Sequence, residues 1–301
     1  MSKTAKALIV AAALILLGAV IGGIGFFFGG WDTLTESFGS NAVENSQSWS
    51  NPVTKLEISC VSDNVRLLPS EDGKVRVDWK DTRYGHYEVS LERGTLEICY
   101  RDTEQKPHFD FGEEEPRAVA VYLPESSYES LLLTTVSGNA ASSGFSFGRT
   151  EITTVSGQVG LESGDFGETR ITTTSGDVVL DGCDTSTSEI KTTSGSVVLH
   201  DHNAAATKIV TTSGEVGLGN GFFGETTVET ASGSVVLDCF DASSTEISTS
   251  SGDVIGTVAA PKGFFAQSVS GTVEYPVNDY WTGTFDVHTG SGDVKIGYDF
   301  E

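Results

Sequence analysis

Basic residues are scarce in this chain of 301 residues, which has 18 Lys and Arg against 42 Asp and Glu and a formal net charge of −24. Nucleic acids and anionic lipid surfaces are negatively charged and would repel such a chain. The deficit therefore argues against a nucleic-acid-binding protein and against binding to acidic lipid headgroups. It favours cations and cationic peptides as partners.

Apolar residues and cysteines are also limited. Hydrophobic residues make up 38% of the chain and glycine occurs 35 times, which suits a thin core with many bends better than a thick globular centre. Cys60 and Cys99 lie on predicted strands that could be neighbours, so a disulfide and two small buried thiols are both open interpretations. Cys183 and Cys239 are 56 residues apart, nearly three periods of the repeat described next, which is too far for a disulfide.

A Ser-Gly pair recurs through the second half of the chain. Seven of the eight intervals between its serines are 19 residues, and the last is 21. Such a period is typical of stacked repeat architectures, in which each unit contacts its neighbours in the stack. The serines are Ser137, Ser156, Ser175, Ser194, Ser213, Ser232, Ser251, Ser270 and Ser291.

Positions at fixed distances from each Ser form columns. Four residues before it every member is apolar, from Leu133 to Val287, so this column is predicted to point inward. Two residues before it stands Thr or, once, Ser268, and the column between these two, which includes Lys191, is predicted to face outward. We expect each Thr hydroxyl to donate a hydrogen bond to one neighbouring repeat and to accept one from the other.

The inward parity changes at the Ser-Gly pair. Counted from the Ser, residues at even offsets point inward before the pair, and residues at odd offsets point inward after it. Three residues after the Ser, every member of the column is Val except Ala140. The chain must therefore bend, and the Gly supplies either a positive φ or a close backbone approach. Each unit is predicted to be strand, bend, strand and polar return loop. About nine units stacked at ~4.8 Å predict an all-β fold, a parallel β-solenoid roughly 40 Å long.

The repeat motif resembles a known family. T-T-S-G-D-V at 173–178, varied as T-T-S-G-S-V at 192–197 and T-T-S-G-E-V at 211–216, is similar to the bacterial DUF4097 β-strand repeat proteins. The resemblance runs from about residue 55 to the end of the chain, where 55–65 resemble the family's opening strand pair and 121–124 the strand before its repeats. It implies an extracytoplasmic, adhesin-like β-solenoid, in some cases associated with envelope stress, and no catalytic residues.

The amino-terminal segment contains a long apolar run. Residues 7–28 are 22 consecutive uncharged residues, preceded by Lys3 and Lys6, and a helix of this length spans a ~30 Å hydrocarbon core. The lysines predict a cytoplasmic tip at 1–6 and an extracytoplasmic repeat domain. A cleaved signal peptide is the alternative, although its apolar region would be only about 7 to 15 residues long. Residues 29–52, rich in Ser, Asn, Thr and Gly, are predicted to be a flexible tether.

Both ends of the stack are predicted to carry caps, because an open end exposes unpaired backbone groups and invites edge-to-edge association. Short alternating strands in 53–130 predict an N-terminal β cap and a degenerate first repeat, with Asp63 in the place of the Gly. Residues 131–301 are predicted to hold the repeats and a C-terminal aromatic cap around Pro276. The aromatic residues of that cap are Tyr280, Trp281, Phe285, Tyr298 and Phe300.

A column of acids marks the candidate binding face. Two residues after the Ser, acids alternate with hydroxyls, so like charges are expected about two repeats or ~10 Å apart, too far to share a calcium ion. A solvated surface is the simpler interpretation, and capture of cationic molecules is the functional one. The acids of this candidate face are Asp177, Glu215, Asp253 and Asp293.

Residue types suited to a metal site occur on successive repeats. Asp181 and His200 are equivalent positions, as are Cys183 and His202, so the four side chains could gather in one loop patch of zinc-ligand character. No other feature of the sequence supports a site, so a coincidence among polar return loops is the preferred interpretation and no metal is predicted.

A column of loop carboxylates supports an enzymatic alternative. Some β-helical hydrolases and lyases that act on polysaccharide carry carboxylates on one face, and Glu162, Asp181 and Asp238 fall in one loop column. The column lacks a basic or aromatic groove to bind sugar. The preferred hypothesis is therefore a non-enzymatic protein without a cofactor. It would be anchored in the cell membrane and would bind envelope proteins, glycans or cationic peptides, or act as a scaffold at the cell envelope.

Overall fold

The computed structural model describes residues 43–81, 85–102, 118–277 and 281–299, and all regular secondary structure in these ranges is β-strand. The strands form one sheet of 13 and one of 12. In this part of the chain no helix is long and apolar enough to cross a membrane. The predicted cytoplasmic tip at 1–6 and transmembrane helix at 7–28 lie outside the described residues.

Seven strands precede the repeats. They are β1 (Val43–Trp49), β2 (Lys55–Ser59), β3 (Asn64–Pro69), β4 (Val75–Asp81), β5 (Gly85–Glu92), β6 (Thr95–Asp102) and β7 (Ala118–Leu123).

Each repeat contributes one strand to each sheet, and we call such a pair a rung. The first strands of the rungs are β8 (Ser127–Thr134), β10 (Ser146–Thr153), β12 (Glu168–Thr172), β14 (Asp184–Lys191), β16 (Asn203–Thr211), β18 (Glu225–Thr230), β20 (Ser244–Thr249), β22 (Gly263–Ser268) and β24 (Thr284–Thr289). The second strands are β9 (Ala140–Ser143), β11 (Val159–Glu162), β13 (Val178–Asp181), β15 (Val197–His200), β17 (Val216–Gly219), β19 (Val235–Phe240), β21 (Val254–Val258), β23 (Val273–Glu274) and β25 (Val294–Tyr298).

The rungs stack in parallel with the register that the 19-residue period predicts. Ile152 pairs with Ile171 in one sheet, and Val159 pairs with Val178 in the other. The inward columns on both sides of the Ser-Gly pair are buried, while Lys191 is exposed, as predicted. Ala266 and Val273 are the exceptions and are only partly buried.

The order of the rungs in space departs from chain order at both ends. The last rung of the chain, β24 and β25, lies between the β20/β21 rung and the β22/β23 rung. At the other end the β2/β3 rung lies between the β6/β7 rung and the β8/β9 rung. The outermost C-terminal rung is therefore β22/β23, which explains why its inward side chains Ala266 and Val273 remain partly exposed.

The predicted aromatic cap is only partly correct. Phe285 is fully buried inside the stack, because its rung is not the outermost one. Phe264 takes the end position and stacks on Tyr275 with ring centroids 5.6 Å apart. Trp281 is 58% exposed and does not belong to the core. Tyr280 and Phe300 lie outside the described residues.

The N-terminal region holds more structure than predicted. The range predicted as tether, 29–52, includes β1, which pairs antiparallel with β4 and brings Trp49 against the core. The tether prediction is wrong for these residues because backbone pairing to a sheet edge leaves little trace in composition. Within 53–130, β6 and β7 form a full rung in addition to the degenerate rung of β2 and β3.

Stacked glycines set the Ser-Gly bend through close approach. A Cβ built on Gly195 would lie 1.9 Å from the carbonyl oxygen of Gly176 on the rung below, and the same approach recurs from Gly138 to Gly252. None of the nine repeat glycines at this bend has a positive φ. Of the two alternatives, close backbone approach is therefore the reason for the glycine.

The Thr column closes the bend within each rung. The predicted bond from a neighbouring repeat to each hydroxyl is wrong, whereas donation to a backbone carbonyl of a neighbouring rung occurs at Thr135, Ser268 and Thr289. The Gly195 N–H donates to Thr192 Oγ1 at 3.0 Å. The hydroxyl oxygen is engaged locally because Thr and Gly are only three residues apart across the bend. The same bond is made by every member of the column, namely Thr135, Thr154, Thr173, Thr192, Thr211, Thr230, Thr249, Ser268 and Thr289.

A second bend, after the second strand, uses left-handed backbone. Its φ angles lie between +47° and +77° at 19-residue intervals, although only two of the six residues are glycine. Asp and Asn tolerate this region better than most residues because their short polar side chains bond locally. The six residues are Gly144, Ser163, Gly182, Asp201, Asn220 and Cys239.

We expect Gly→Ala to lower the free energy of unfolding by different amounts at the two bends. Gly182→Ala keeps ordinary contact distances but forces Ala to φ +61°, and we expect a loss of about 1 kcal/mol in the free energy of unfolding. Gly195→Ala drives a Cβ into a backbone carbonyl, and we expect a loss of about 3 kcal/mol or more. Urea unfolding of the two variants checks this, and equal losses would contradict the close stacking at the Ser-Gly bend.

Candidate functional site

The predicted binding face lies at the start of each second strand, directly after the Ser-Gly pair. Asp177, Glu215 and Asp293 are half-buried there, and Asp253 is exposed. We call the whole set of equivalent positions the acid column. In stack order the acid column contains Asn64, Asn139, Gln158, Asp177, Ser196, Glu215, Ser234, Asp253, Asp293 and Thr272.

Side chains of the acid column bond to the backbone of the adjacent rung. The Ser196 N–H donates to Asp177 Oδ1 at 2.8 Å. Two amide side chains make the same contact, since the Gln158 N–H donates to Asn139 Oδ1 at 2.8 Å and the Asn139 N–H donates to Asn64 Oδ1 at 2.9 Å. The column therefore has a structural role, which an amide oxygen fills as well as a carboxylate oxygen.

The alternation of acids and hydroxyls breaks down at the C-terminal end. Because the last rung is inserted below β22/β23, Asp293 stacks directly on Asp253, and the Asp293 N–H donates to Asp253 Oδ1 at 2.8 Å. Lys295 forms an ion pair with Asp293. The hydrogen bond from Lys295 lowers the pKa of the Asp293 carboxyl most, and the hydrogen bond from the Thr272 N–H lowers it further. In the middle of the stack, where Ser196 and Ser234 flank Glu215 in the column, burial raises the pKa of Glu215.

The predicted four-residue metal patch does not form. His200 Nδ1 lies 3.0 Å from Asp181 Oδ1 on the adjacent rung, and with Asp201 they offer three ligand atoms within 4.8 Å of one another. Cys183 and His202 instead point into the core, where both are fully buried. The separation arises because the left-handed bend lies between position 181 and position 183 and again between 200 and 202, so residues two apart face opposite sides.

The two interior members of the predicted patch are held in neutral form by burial. Burial raises the pKa of the Cys183 thiol to about 12, and its Sγ lies 3.2 Å from the Leu161 carbonyl oxygen. Burial lowers the pKa of His202 to about 4. Its Nε2 lies 3.3 Å from Thr185 Oγ1 and 3.2 Å from Ser188 Oγ, while Nδ1 has no hydrogen-bond partner within the described part of the chain. A thiol and an imidazole of this kind suit packing rather than metal binding.

The cysteines that could have paired are free. Cys99 lies in register with Ser59, so it is one residue out of register with Cys60. Successive residues on a strand face opposite sides, and accordingly Cys60 is buried while Cys99 is partly exposed. All four cysteines of the chain are free thiols.

The loop carboxylates of the enzymatic alternative spread along the stack. Glu162 and Asp181 lie on adjacent rungs, and Asp238 lies three rungs beyond Asp181, or ~14 Å away. The Asp181 carboxylate is already engaged by His200. Carboxyl pairs of glycosidases are about 5 to 9.5 Å apart, so Asp238 cannot pair with either of the others.

A second hydroxyl column inside the stack was missed from the sequence. It lies six residues before six of the nine serines, and Leu131, Phe264 and Phe285 stand at the other three. This is an even offset, so the parity rule that identified the inward columns would have found it. All of its members are buried, and the Thr169 hydroxyl donates to the Phe166 carbonyl at 2.9 Å. The column contains Thr150, Thr169, Ser188, Thr207, Thr226 and Thr245.

Comparisons with known proteins agree with the repeat architecture. A family model described as Toastrack DUF4097 matches residues 53–297. No curated protein matches the chain.

Solved structures that resemble this chain share little sequence with it. A "putative lipid binding protein" from Parabacteroides distasonis is 13% identical, with a TM-score of 0.45, over 86% of this chain and 98% of that one. A "putative adhesin" from Parabacteroides merdae is 10% identical, with a TM-score of 0.43, over 86% and 97%. A "putative adhesin" from Bacteroides fragilis is 14% identical, with a TM-score of 0.37, over 84% and 97%.

The structural role of the acid column is separable from its charge. Asp177→Ala leaves the Ser196 N–H without its acceptor, and we expect a loss of about 1 kcal/mol in the free energy of unfolding. Asp177→Asn keeps an acceptor oxygen, as Asn139 does in the native column, and should unfold within about 0.5 kcal/mol of wild type. Chemical denaturation checks both, and equal losses for the two variants would show that the carboxylate charge stabilises the rung.

We expect the protein to lose stability in acid because the buried His202 side chain is neutral in the folded state. Its folded pKa of about 4 lies below the ordinary 6.5, so the unfolded chain binds the proton more readily. The stability that neutral His202 provides is complete above roughly pH 6.5 and is lost as the pH falls towards 4, by on the order of 3 kcal/mol. Unfolding free energies across this range should fall further for wild type than for His202→Gln, which has no proton to gain. Parallel profiles would contradict the assignment.

Proposed function

The chain belongs to the Toastrack DUF4097 family, and on that basis we propose that it is a non-enzymatic binding protein of the bacterial cell envelope. In this proposal residues 7–28 anchor it in the cell membrane, and the stack of rungs stands outside the cytoplasm. The acid column is its binding surface. Its partners are cationic peptides or cationic segments of other envelope molecules.

One observation carries the proposal. The hydrogen bond that Asp177 makes to the next rung is made equally by Asn139 and Asn64 elsewhere in the column. The fold needs an acceptor oxygen at these positions and does not need a charge. The carboxylates of Asp177 and Asp253 therefore add negative charge beyond the structural requirement, on a half-exposed or exposed face.

The charge of the whole chain supports the same class of partner. A net charge of −24 creates a field that attracts cations and raises their association rate. Acids at regular steps along a rigid rung stack match an extended or helical peptide that carries several Lys or Arg residues. Such binding depends on exposed charges, which salt screens beyond a Debye length of about 8 to 10 Å.

The test removes charge and keeps the hydrogen bonds. The combined variant Asp177→Asn, Glu215→Gln, Asp253→Asn should bind a Lys- and Arg-rich amphipathic peptide on the order of tenfold more weakly than wild type, because each exposed charge pair contributes up to about 1 kcal/mol. Titration calorimetry measures this. Wild-type affinity should also fall steeply as salt rises.

A matched control separates the acid column from net charge. Glu57, Glu71 and Glu92 are exposed and lie outside the column, so replacing all three with Gln makes the same change in net charge. We expect this control to keep nearly wild-type affinity. Equal weakening in both triple variants would reject the acid column as the binding surface. Release of product from a polysaccharide panel by the purified chain would reject the non-enzymatic assignment.

A further inference from the structure

The two ends of the stack differ in how their sheet edges are finished. At the N-terminal end the outermost strands of the described residues, β1 and β5, run antiparallel to their neighbours. The β5 edge carries charge, including Glu88, which pairs with Arg101 at 2.8 Å. At the C-terminal end the outermost described strands, β22 and β23, simply continue the parallel stack. Charged or irregular edges prevent unwanted strand pairing, and the β22 edge has neither device.

We propose that this C-terminal end rung, formed by β22 and β23, is a docking surface for the end rung of a second copy of the chain. The inference is independent of peptide binding by the acid column. It concerns a different surface and a different partner.

Exposed apolar side chains concentrate on the end rung. The four most exposed large hydrophobic residues of the described chain all lie in it or in the connection that follows it. Beside them is an open recess whose lining includes Ala266, Val273, Tyr275, Ile296 and Tyr298, together with Glu274. Apolar patches of this kind mark interaction surfaces in soluble domains. The four exposed residues are Val269 at 89%, Val277 at 88%, Trp281 at 58% and Phe265 at 50%.

The backbone of β22 is arranged to accept another strand. The Gly263 N–H donates to the Gly283 carbonyl at 2.8 Å, and the Val269 N–H donates to the Thr289 carbonyl at 3.2 Å. In a parallel pair only alternate residues turn their backbone N–H and C=O groups towards the partner strand. Gly263 and Val269 have odd numbers and bond to the neighbouring rung, so the backbone groups of the even-numbered residues between them face away from the stack. These are the N–H and C=O groups of Phe264, Ala266 and Ser268. No strand of the described residues lies on that side of β22.

Charge identifies a second copy as the occupant rather than a cationic peptide. Gly263–Ser268 contains no charged residue, although the chain as a whole carries −24. Glu274, the acid on β23, lies in register with Lys295. A cationic partner would find few carboxylates here. Two acidic copies, in contrast, can pair through β22 without bringing charged residues of that strand together.

The geometry suits a two-fold contact. Two β22 strands running antiparallel would join the 12-stranded sheets of the two copies. With the axis at Ala266, Ala266 would face its own copy, and Phe264 of each copy would face Ser268 of the other. Phe265 and Val269 of each copy would then be covered. The contact lies at the end of the stack opposite β1, the first described strand of the chain.

The experiment compares one substitution at two places in the same column. Val269→Lys adds a charge on the end rung, and Val155→Lys adds it at the equivalent position in mid-stack, where Val155 is 47% exposed. Sedimentation velocity of the full chain over a range of concentrations should show a wild-type dimer. We expect Val269→Lys to weaken it by about tenfold or more, because each copy then buries an unpaired charge in the apolar contact. Val155→Lys should behave as wild type.

Salt and hydrogen exchange sharpen the test. The wild-type dimer should strengthen as salt rises, since screening reduces repulsion between the copies, whereas peptide binding to the acid column should weaken. Amide protection at Phe264, Ala266 and Ser268 should rise with protein concentration, while that of β5 should not. A monomer at every concentration, equal effects of the two lysines, a dimer weakened by salt, or unchanged exchange at β22 would each overturn the proposal.

Discussion

The approach of one backbone bend onto the next is the constraint on which the rest of the structure depends. At the Ser-Gly bend the carbonyl oxygen of each rung occupies the space that a Cβ of the next rung would need, as at Gly176 and Gly195. A side chain at this position would force the rungs apart and break both ladders of backbone hydrogen bonds. The 19-residue period from Ser137 to Ser270 returns a glycine to this place in every unit.

Other recurring residues follow from that bend. Thr192 accepts the N–H of Gly195 within its rung, and Asp177 accepts the N–H of Ser196 on the next rung, so the backbone donors of the bend are satisfied from both directions. Only the second contact leaves chemical freedom, because Asn, Asp and other polar residues all fit there. A surface property, charge, can therefore vary along the column without disturbing the fold. This is the physical basis for separating the binding role of the acids from their structural one.

Each end of a parallel stack leaves a strand edge that a further strand could join, and the two ends of this stack finish that edge differently. At the N-terminal end antiparallel strands and charged side chains close both sheets. At the C-terminal end the chain places its last rung inside the stack and leaves β22 and β23 outermost. Phe285 is buried as a result, while Phe265 and Val269 are exposed. The end that carries the most exposed apolar side chains thus finishes on a strand, β22, without a charged residue.

The sequence by itself determined the repeat. The inward columns, the outward Lys191 and the position of the bend follow from a 19-residue period and a two-residue parity, which are local properties of a strand. The recurring T-T-S-G motif carries the resemblance to the family. Reliance on local patterns also explains the wrong metal patch. His200 and His202 are two residues apart and are expected on one face, but the left-handed backbone of Asp201 turns one outward and the other inward.

Only the tertiary structure decided the order of the rungs and the place of β1. Every rung offers nearly the same backbone edge, so periodicity cannot say which rung an end strand joins. That choice depends on long-range packing.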